Sequence, residues 1–397
     1  MVTKEALRIA HEKATFIKTV DRQYDESFKD NGRGKQGATL RVREPNKYTR
    51  RQGSRIMDVQ DQNETTQTIT VATQDGVDMK FNSQELIQSV NSGAAFDELS
   101  KNYIEPAVAV LVSGIEADFL AFATKATANL VGTAGTGITT LDVPGKARAR
   151  LNQMLAPKDS NRNIQMDSVT MGALVNGMAA YFNPSGAVGK QYTEGLIART
   201  AMADYYENER VWTLPNASDV ACTLDTYTVT EGDTDLTVTS FATPVAGMVF
   251  TIAGVYDVHP ETKVAYPHLK QFVVTADSTS TDLNFSPAIY SSASGALQNV
   301  SALPTTTAAV TFVGSASTNY VNPIMYHKEA FQFITADLPL MDDAHKCVRR
   351  VQDGLSVRVW MGSDIRNDEL LLRLDILYGM AALRPEWACR MIGSANA

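Results

Sequence analysis

The spacing of apolar positions divides the chain into stretches of different period. Over Thr3–Val20, Leu7, Ala10, Ala14 and Ile17 recur at helical spacing. Thr3 can cap this helix, and Glu5 stands in its first turn. Phe28–Gln36 interrupts the period with Asn31, Gly32 and Gly34, so the helix and its linker read as an arm. Ala38–Arg43 then alternates, Leu40 and Val42 against Thr39, Arg41 and Arg43, as a half-exposed strand does. Pro45-Asn46 ends that strand, and Lys47–Arg55 is a polar loop. Thr66–Thr73 alternates around Ile69 and Val71. Asp75-Gly76 has the composition of a hairpin turn, and Val77, Met79 and Phe81 alternate beyond it. Ribbons with so few inward apolar positions must lean on another surface, most simply another subunit.

A helix begins at Asn82 or Ser83, with Glu85 as a capping partner. The longest helix starts at Pro106, a residue suited to a first helical position. Its stripe is Val108, Leu111, Val112, Ile115, Phe119, Phe122 and Ala126. Running to Leu130, it is about 37 Å long at 1.5 Å per residue. Gly132–Gly137 stops it, and Pro144–Leu155 forms another. From Cys222 the period shortens. Thr226–Thr230, Leu236–Thr239, Met248–Ile252 and Gln271–Thr275 are strand-like runs between turn residues, the pattern of a small β-barrel or sandwich. Between Leu283 and Tyr326 there is no Asp, Glu, Lys or Arg. The charged, mixed character of the first half returns after Tyr320, so residues 222–319 read as an all-β domain inserted into a parent domain.

Composition narrows the function classes. The chain has 397 residues, which at about 150 per domain is roughly two or three domains. With 44% hydrophobic and 20% charged residues it is a globular composition, and dominant disorder is excluded. The apolar run Ala107–Ile115 is broken by Ser113 and Gly114 and ended by Glu116, which argues against a membrane span. Thr3–Val20 carries seven charged or histidine side chains and no secretory apolar core. Cys222, Cys347 and Cys389 are odd in number and scattered, which suits a reducing compartment. A net charge of −8 and a pI near 5.3 argue against a dedicated nucleic-acid binder.

Catalytic patterns fail in turn. Gly145-Lys146 is followed by Ala147, and position 140 is Thr140, so there is no phosphate-binding loop. Gly135-Thr136-Gly137 lacks the third glycine of a dinucleotide site. His11-Glu12 is followed by Thr15 where a zinc-protease helix needs histidine. His345 and Cys347 lack the further ligands that zinc requires. Asp233-Thr234-Asp235 reads as a turn before it reads as a calcium site, and His259 and His268, each beside a proline, read as loop residues. No cofactor is expected, and no enzymatic role.

One charge feature stands apart. Lys29–Arg55 holds nine bases against Asp30 and Glu44, a net of +7 within a chain of −8. Three readings compete: a solvated ribbon, a DNA-contacting patch whose only aromatic is Tyr48, and a ribbon docking on the acidic surface of another copy. The third is favoured, because opposite charges set register and speed encounter. It makes Arg41, Arg43, Lys47, Arg50, Arg51 and Arg55 candidate subunit-interface residues.

The C-terminal part carries a recognisable pattern. Gly354-Leu-Ser-Val-Arg-Val-Trp-Met-Gly-Ser-Asp364-Ile365 is followed by Leu372-Arg-Leu-Asp-Ile-Leu-Tyr-Gly379 and by Arg384-Pro-Glu386. This run resembles the closing segment of tailed-phage major capsid proteins. Tyr192-Thr-Glu-Gly195 to Trp212, and Met325-Tyr-His-Lys-Glu-Ala330 with Asp337-Leu-Pro339, are similar to two further stretches of that family. The match is to podovirus-type coat proteins with an inserted β-domain on the Hong Kong 97-like capsid fold.

The resemblance implies an α+β fold in the following order: an N-terminal arm, 1–36; an extended β-loop, 37–81; a peripheral domain with the spine helix, 82–130; an axial domain, 131–221; the inserted β-barrel-like domain, 222–319; an axial return, 320–345; and peripheral strands with the C-terminus, 346–397. It implies a non-enzymatic virion protein, assembled in the host cytoplasm into hexamers and pentamers of an icosahedral head. Implied partners are a scaffolding protein, a portal protein and double-stranded DNA enclosed without specific binding, with no membrane. By analogy the arm contacts the scaffold, with Asp21, Asp25 and Glu26 as candidates. Lys35 and Lys47 lie where some relatives form an isopeptide cross-link, but no acceptor can be placed. An encapsulin-like nanocompartment shell is the alternative on the same fold, and a β-domain adhesin is a more distant one.

Overall fold

A computed structural model of the chain describes residues 14–22, 39–51, 53, 55–57, 59–60, 66–82, 103–178, 203–225, 228–239, 241–341, 346–352 and 355–394. The chain forms two compact units. One comprises 1–42, 66–119 and 331–383, and the other 43–65, 120–330 and 384–397.

In the first unit a sheet is organised around one long strand, Glu369–Ala382. Leu355–Asp364 and Phe331–Ala336 share one of its edges, taking 369–375 and 377–382, and Lys346–Gln352 pairs outside Leu355–Asp364. Thr73–Asn82 lies along the other edge, taking 369–378. All these pairings are antiparallel.

This corrects one expectation. Asp75-Gly76 is not a hairpin turn, because the strand runs straight through it in register with Asp375 and Ile376. Gly76 is there for close approach: a Cβ would stand 2.7 Å from the Leu374 carbonyl oxygen. Asp75 accepts a hydrogen bond from the Tyr378 hydroxyl at 2.8 Å, and burial together with this carboxylate pushes the phenol well above its usual range. Two neighbouring strands, Thr39–Arg43 and Thr66–Thr70, pair with each other. Leu40 and Val42 pack with Ile69, Val71 and Ile334, and the alternating Thr39, Arg41 and Arg43 are exposed, as the pattern predicts.

The long helix spans Glu105–Ala126. By length and composition alone it would cross a bilayer. Its apolar character is accounted for by protein burial: Val108, Leu111, Val112, Ile115 and Phe119 are buried, as the stripe predicts. Phe122 and Ala126, at the end of the stripe, are only half-buried, whereas Glu116 is fully buried. Its carboxylate accepts from the backbone N–H groups of Thr15 and Phe16, the opening of the short helix Phe16–Thr19. The Phe16 ring packs tilted against Phe119 (4.7 Å), Phe119 tilted against Phe333 (5.5 Å), and Phe333 stacks on Tyr378 (5.6 Å). The arm is thus pinned by one carboxylate and a file of rings. The rest of the predicted Thr3–Val20 helix, and the one predicted from Ser83, fall on residues outside those described.

The second unit holds a five-stranded mixed sheet and a barrel. The sheet order is Leu130–Gly132, Ala388–Ile392, Ile324–His327, Arg162–Met166, Asp204–Glu207. The helices Asp142–Gln153 and Ser168–Met178 cover one face, with Leu151, Leu174, Ile164, Met325 and Met391 in a common core. The final strand therefore belongs to this sheet, beside residues from before and after the insertion.

The barrel is antiparallel and six-stranded. Its order is Ala221–Thr223, Ala309–Phe312, Val249–Val258, Ala265–Val274, Asp282–Ser286, Asp235–Thr237. The first and last strands meet, with Asp225 N–H donating to Thr237 O at 3.0 Å and Thr239 N–H to Thr223 O at 2.9 Å. The sheet is closed, as full closure of edges demands. Phe250 sits at the centre, within 6 Å of the rings of Phe272, Phe285 and Phe312. The expected strand Thr226–Thr230 is not found over its described part, 228–230. There Thr230 is tied to Asp233 through its N–H and hydroxyl, both at 2.7 Å. Asp233 is a turn residue, as the sequence suggested.

A two-stranded neck joins the barrel to the sheet. Thr213–Pro215 pairs with Asn319–Val321. Asn216 clasps it, its side-chain amide donating to the carbonyls of Val313 and Ser315, both at 3.1 Å.

Candidate subunit interface

The basic ribbon leaves the strand Thr39–Arg43 with Arg41 and Arg43 exposed. Beyond it the backbone is irregular but tied. Gln60 accepts from Thr49 N–H at 2.8 Å and returns a hydrogen bond to Thr49 O at 2.7 Å. This reciprocal pair closes a loop on itself. Within it the Arg51 guanidinium donates to Ile56 O. Lys47, Arg50, Arg51 and Arg55 are all exposed on this loop, beside Glu44 as its only described acid. Every described member of the predicted basic set is therefore on the surface, and five of the six stand between 43 and 55.

The sequence reading missed what stands between the charges. Tyr48 is 56% exposed, Ile56 81%, Met57 78% and Val59 79%. Four large apolar side chains in one short loop differ from the scattered exposed apolar residues any protein carries. Arginine, tyrosine and methionine together are the residue types enriched at interface cores. A signal was present: Ile56-Met57-Asp58-Val59 follows the basic run with no period that would bury it.

Asp21 is placed by the first unit's sheet. Its backbone bridges to Gln332, and its carboxylate accepts from the Gln332 amide at 2.9 Å and from Arg22 N–H at 2.9 Å. Asp25, Glu26 and His345 lie outside the described residues, and Cys347 stands in the strand Lys346–Gln352. Among the described residues no cluster of His, Cys, Asp and Glu could hold a metal.

His268 corrects a further expectation. It is not a loop residue but stands in the barrel strand Ala265–Val274, in a charged cluster. Asp257, 1% exposed, faces Lys270 Nζ at 2.9 Å, Arg150 Nη1 at 3.3 Å and His268 Nε2 at 3.4 Å. Burial and the Arg150 charge hold the His268 ring below its ordinary pKa. No motif joins Arg150 to residues more than a hundred positions away, so the cluster is invisible to spacing. His259 is a turn residue as expected, its Nδ1 accepting from Glu261 and Thr262 N–H.

Residues 208–393 match a family model described as P22 coat protein, gene protein 5. No curated protein sequence matches the chain. Among solved structures the fold is similar to a chain of Mycobacterium phage Che8, with a TM-score of 0.50 at 9% identity over 95% of this chain and 90% of that one. It is less similar to the capsid of Ralstonia phage GP4, at TM-score 0.47 and 7% identity over 97% and 89% of the two chains. The capsid of the cyanophage P-SCSP1u gives 0.45 at 11% identity over 91% and 85%.

Proposed function

We propose that this chain is a tailed-phage major capsid protein of Hong Kong 97-like fold that forms a phage head shell, and that its described surfaces hold the shell together as follows. The loop between Arg43 and Gln60 docks on a neighbouring copy. Ile56, Met57 and Val59 supply the apolar contact, and Arg43, Lys47, Arg50, Arg51 and Arg55, with Arg41 on the adjoining strand, set its register against acidic groups. The observation that carries this is the exposure of three large apolar side chains beside a cluster of bases in a chain of net charge −8. Rings of hexamers and pentamers follow from head-to-tail interfaces that close. The role is structural and not enzymatic.

Scaffolding and portal proteins and enclosed double-stranded DNA complete the proposed assembly, in the host cytoplasm. The arm, with Asp21, Asp25 and Glu26, is the proposed scaffold contact. Asp21 is held to Gln332, so its part is to orient the chain that leads away from it. The expected division is arm 1–36, loop 37–81, peripheral 82–130 and 346–397, axial 131–221 and 320–345, and insertion 222–319; with Phe331–Ala336 moved to the peripheral part and 384–397 to the axial part, following the sheets that hold their strands, the proposed division gives the barrel a role in folding and intercapsomer contact. Its own aromatic core supports that role.

The test is assembly of Arg50→Glu/Arg51→Glu, followed by sedimentation and electron microscopy with the scaffold gene coexpressed. The variant should form fewer shells at low salt, and the deficit should narrow as salt screens the repulsion. Equal yields of variant and parent at every ionic strength would assign these charges to solvent only.

A further inference from the structure

The barrel is held to the helix Asp142–Gln153 and to the sheet edge at Leu130 by polar groups. Gln271 takes both backbone groups of Leu130, accepting from its N–H at 2.9 Å and donating to its carbonyl at 2.8 Å. Arg150, on the helix, donates to the same Gln271 oxygen at 3.1 Å and to Asp257 at 3.3 Å. Arg150 also contacts His268 Nε2. Tyr266 stacks on the His268 ring at 5.2 Å and 14°, and its hydroxyl reaches the Gln153 carbonyl at 3.4 Å. Asp257 and Tyr266–Gln271 belong to one long hairpin of the barrel, whereas Arg150, Gln153 and Leu130 belong to its support.

The charged groups facing His268 are Arg150 from the helix, Asp257 from the facing strand and Lys270 from its own strand. A neutral ring can accept at Nε2 from Arg150. A protonated ring has only donors. It then faces two cations, and the single anion present is already shared by both. The ring is about one third exposed, so a proton can reach it.

We propose that His268 is a proton-sensitive fastener: proton uptake at its ring breaks the Arg150 contact and loosens the barrel from its support. The pull of Asp257 opposes this, but the burial and Arg150 contributions come first in holding the ring neutral. The sign follows from linkage. A histidine whose pKa is lower docked than free stabilises docking fully above its free value of about 6.5, and that stabilisation is lost as pH falls from there through the docked value. The inference does not depend on the shell reading, because it concerns joints within one chain.

Hydrogen exchange on the full chain tests it, at about pH 7.5 and about pH 5.5 with intrinsic rates corrected. Protection should be lost at the lower pH in segments containing Arg150 and residues 265–271, while segments at the barrel centre around Phe250 keep theirs. His268→Gln, which retains an acceptor but cannot titrate, should abolish the pH dependence of that loss. Unchanged protection in the parent chain, or the same loss in His268→Gln, would overturn the proposal. Should that variant not fold, Lys270→Met removes one facing cation and should reduce the loss, and an undiminished loss would again overturn it.

Discussion

The barrel and the basic loop handle apolar side chains in opposite ways. The barrel turns Phe250, Phe272, Phe285 and Phe312 onto one another and closes its sheet around them. The loop holds Ile56, Met57 and Val59 in solvent and spends its hydrogen bonds on fixing its own backbone through Thr49 and Gln60. One region completes its burial within the chain. The other leaves it incomplete, with a shape already set. A preshaped loop loses less conformational freedom when it docks, so more of its contact energy appears as affinity.

The contrast can be broken at either end. The largest effect is expected from Phe250→Ala, which should cost about 3–5 kcal/mol of barrel stability because the surrounding rings cannot collapse into the void. Chemical denaturation measures it, and a cost below about 1 kcal/mol would mean the aromatic cluster is loosely packed. Next comes Ile56→Ser/Met57→Ser/Val59→Ser. It should leave the thermal midpoint of the unassembled chain unchanged and abolish shell formation in sedimentation. A lowered midpoint with normal shells would reverse the assignment, making these side chains part of the subunit's own fold. The smallest effect is expected at the barrel seam. Thr239→Val removes the hydroxyl contacts to Thr223, whose N–H and carbonyl lie 3.2 Å away, and should cost about 0.5–1.5 kcal/mol in the same denaturation assay.

What could be read from the sequence depended on whether the signal was local. The stripe Val108–Phe119 and the alternation of Leu40 and Val42 are set by period, and the structure buries the first and half-buries the second. The barrel was legible from its turn spacing and lack of charge, though its closure was not, since Thr223 and Thr239 meet only after five other pairings form. Asp75-Gly76 misled because the same dipeptide that suits a turn also suits a strand crossed closely by its neighbour. In the candidate interface the charges were legible and the apolar tip was not, since Ile56, Met57 and Val59 share no period with a buried face. The Arg150–Asp257–His268 cluster depends wholly on how the barrel is seated.

The neck at Leu214 and Tyr320 sets a boundary condition on everything between them. The outgoing and returning chains are hydrogen-bonded partners there, so the whole insertion is carried on two adjacent ends about 5 Å apart. Apart from the contacts of Gln271 with Leu130 and of Arg150 with the barrel, the five-stranded sheet senses only that separation. Any self-contained module whose termini are neighbouring antiparallel strands satisfies it. The neck is therefore a socket: everything between Leu214 and Tyr320 is carried on one two-stranded stem.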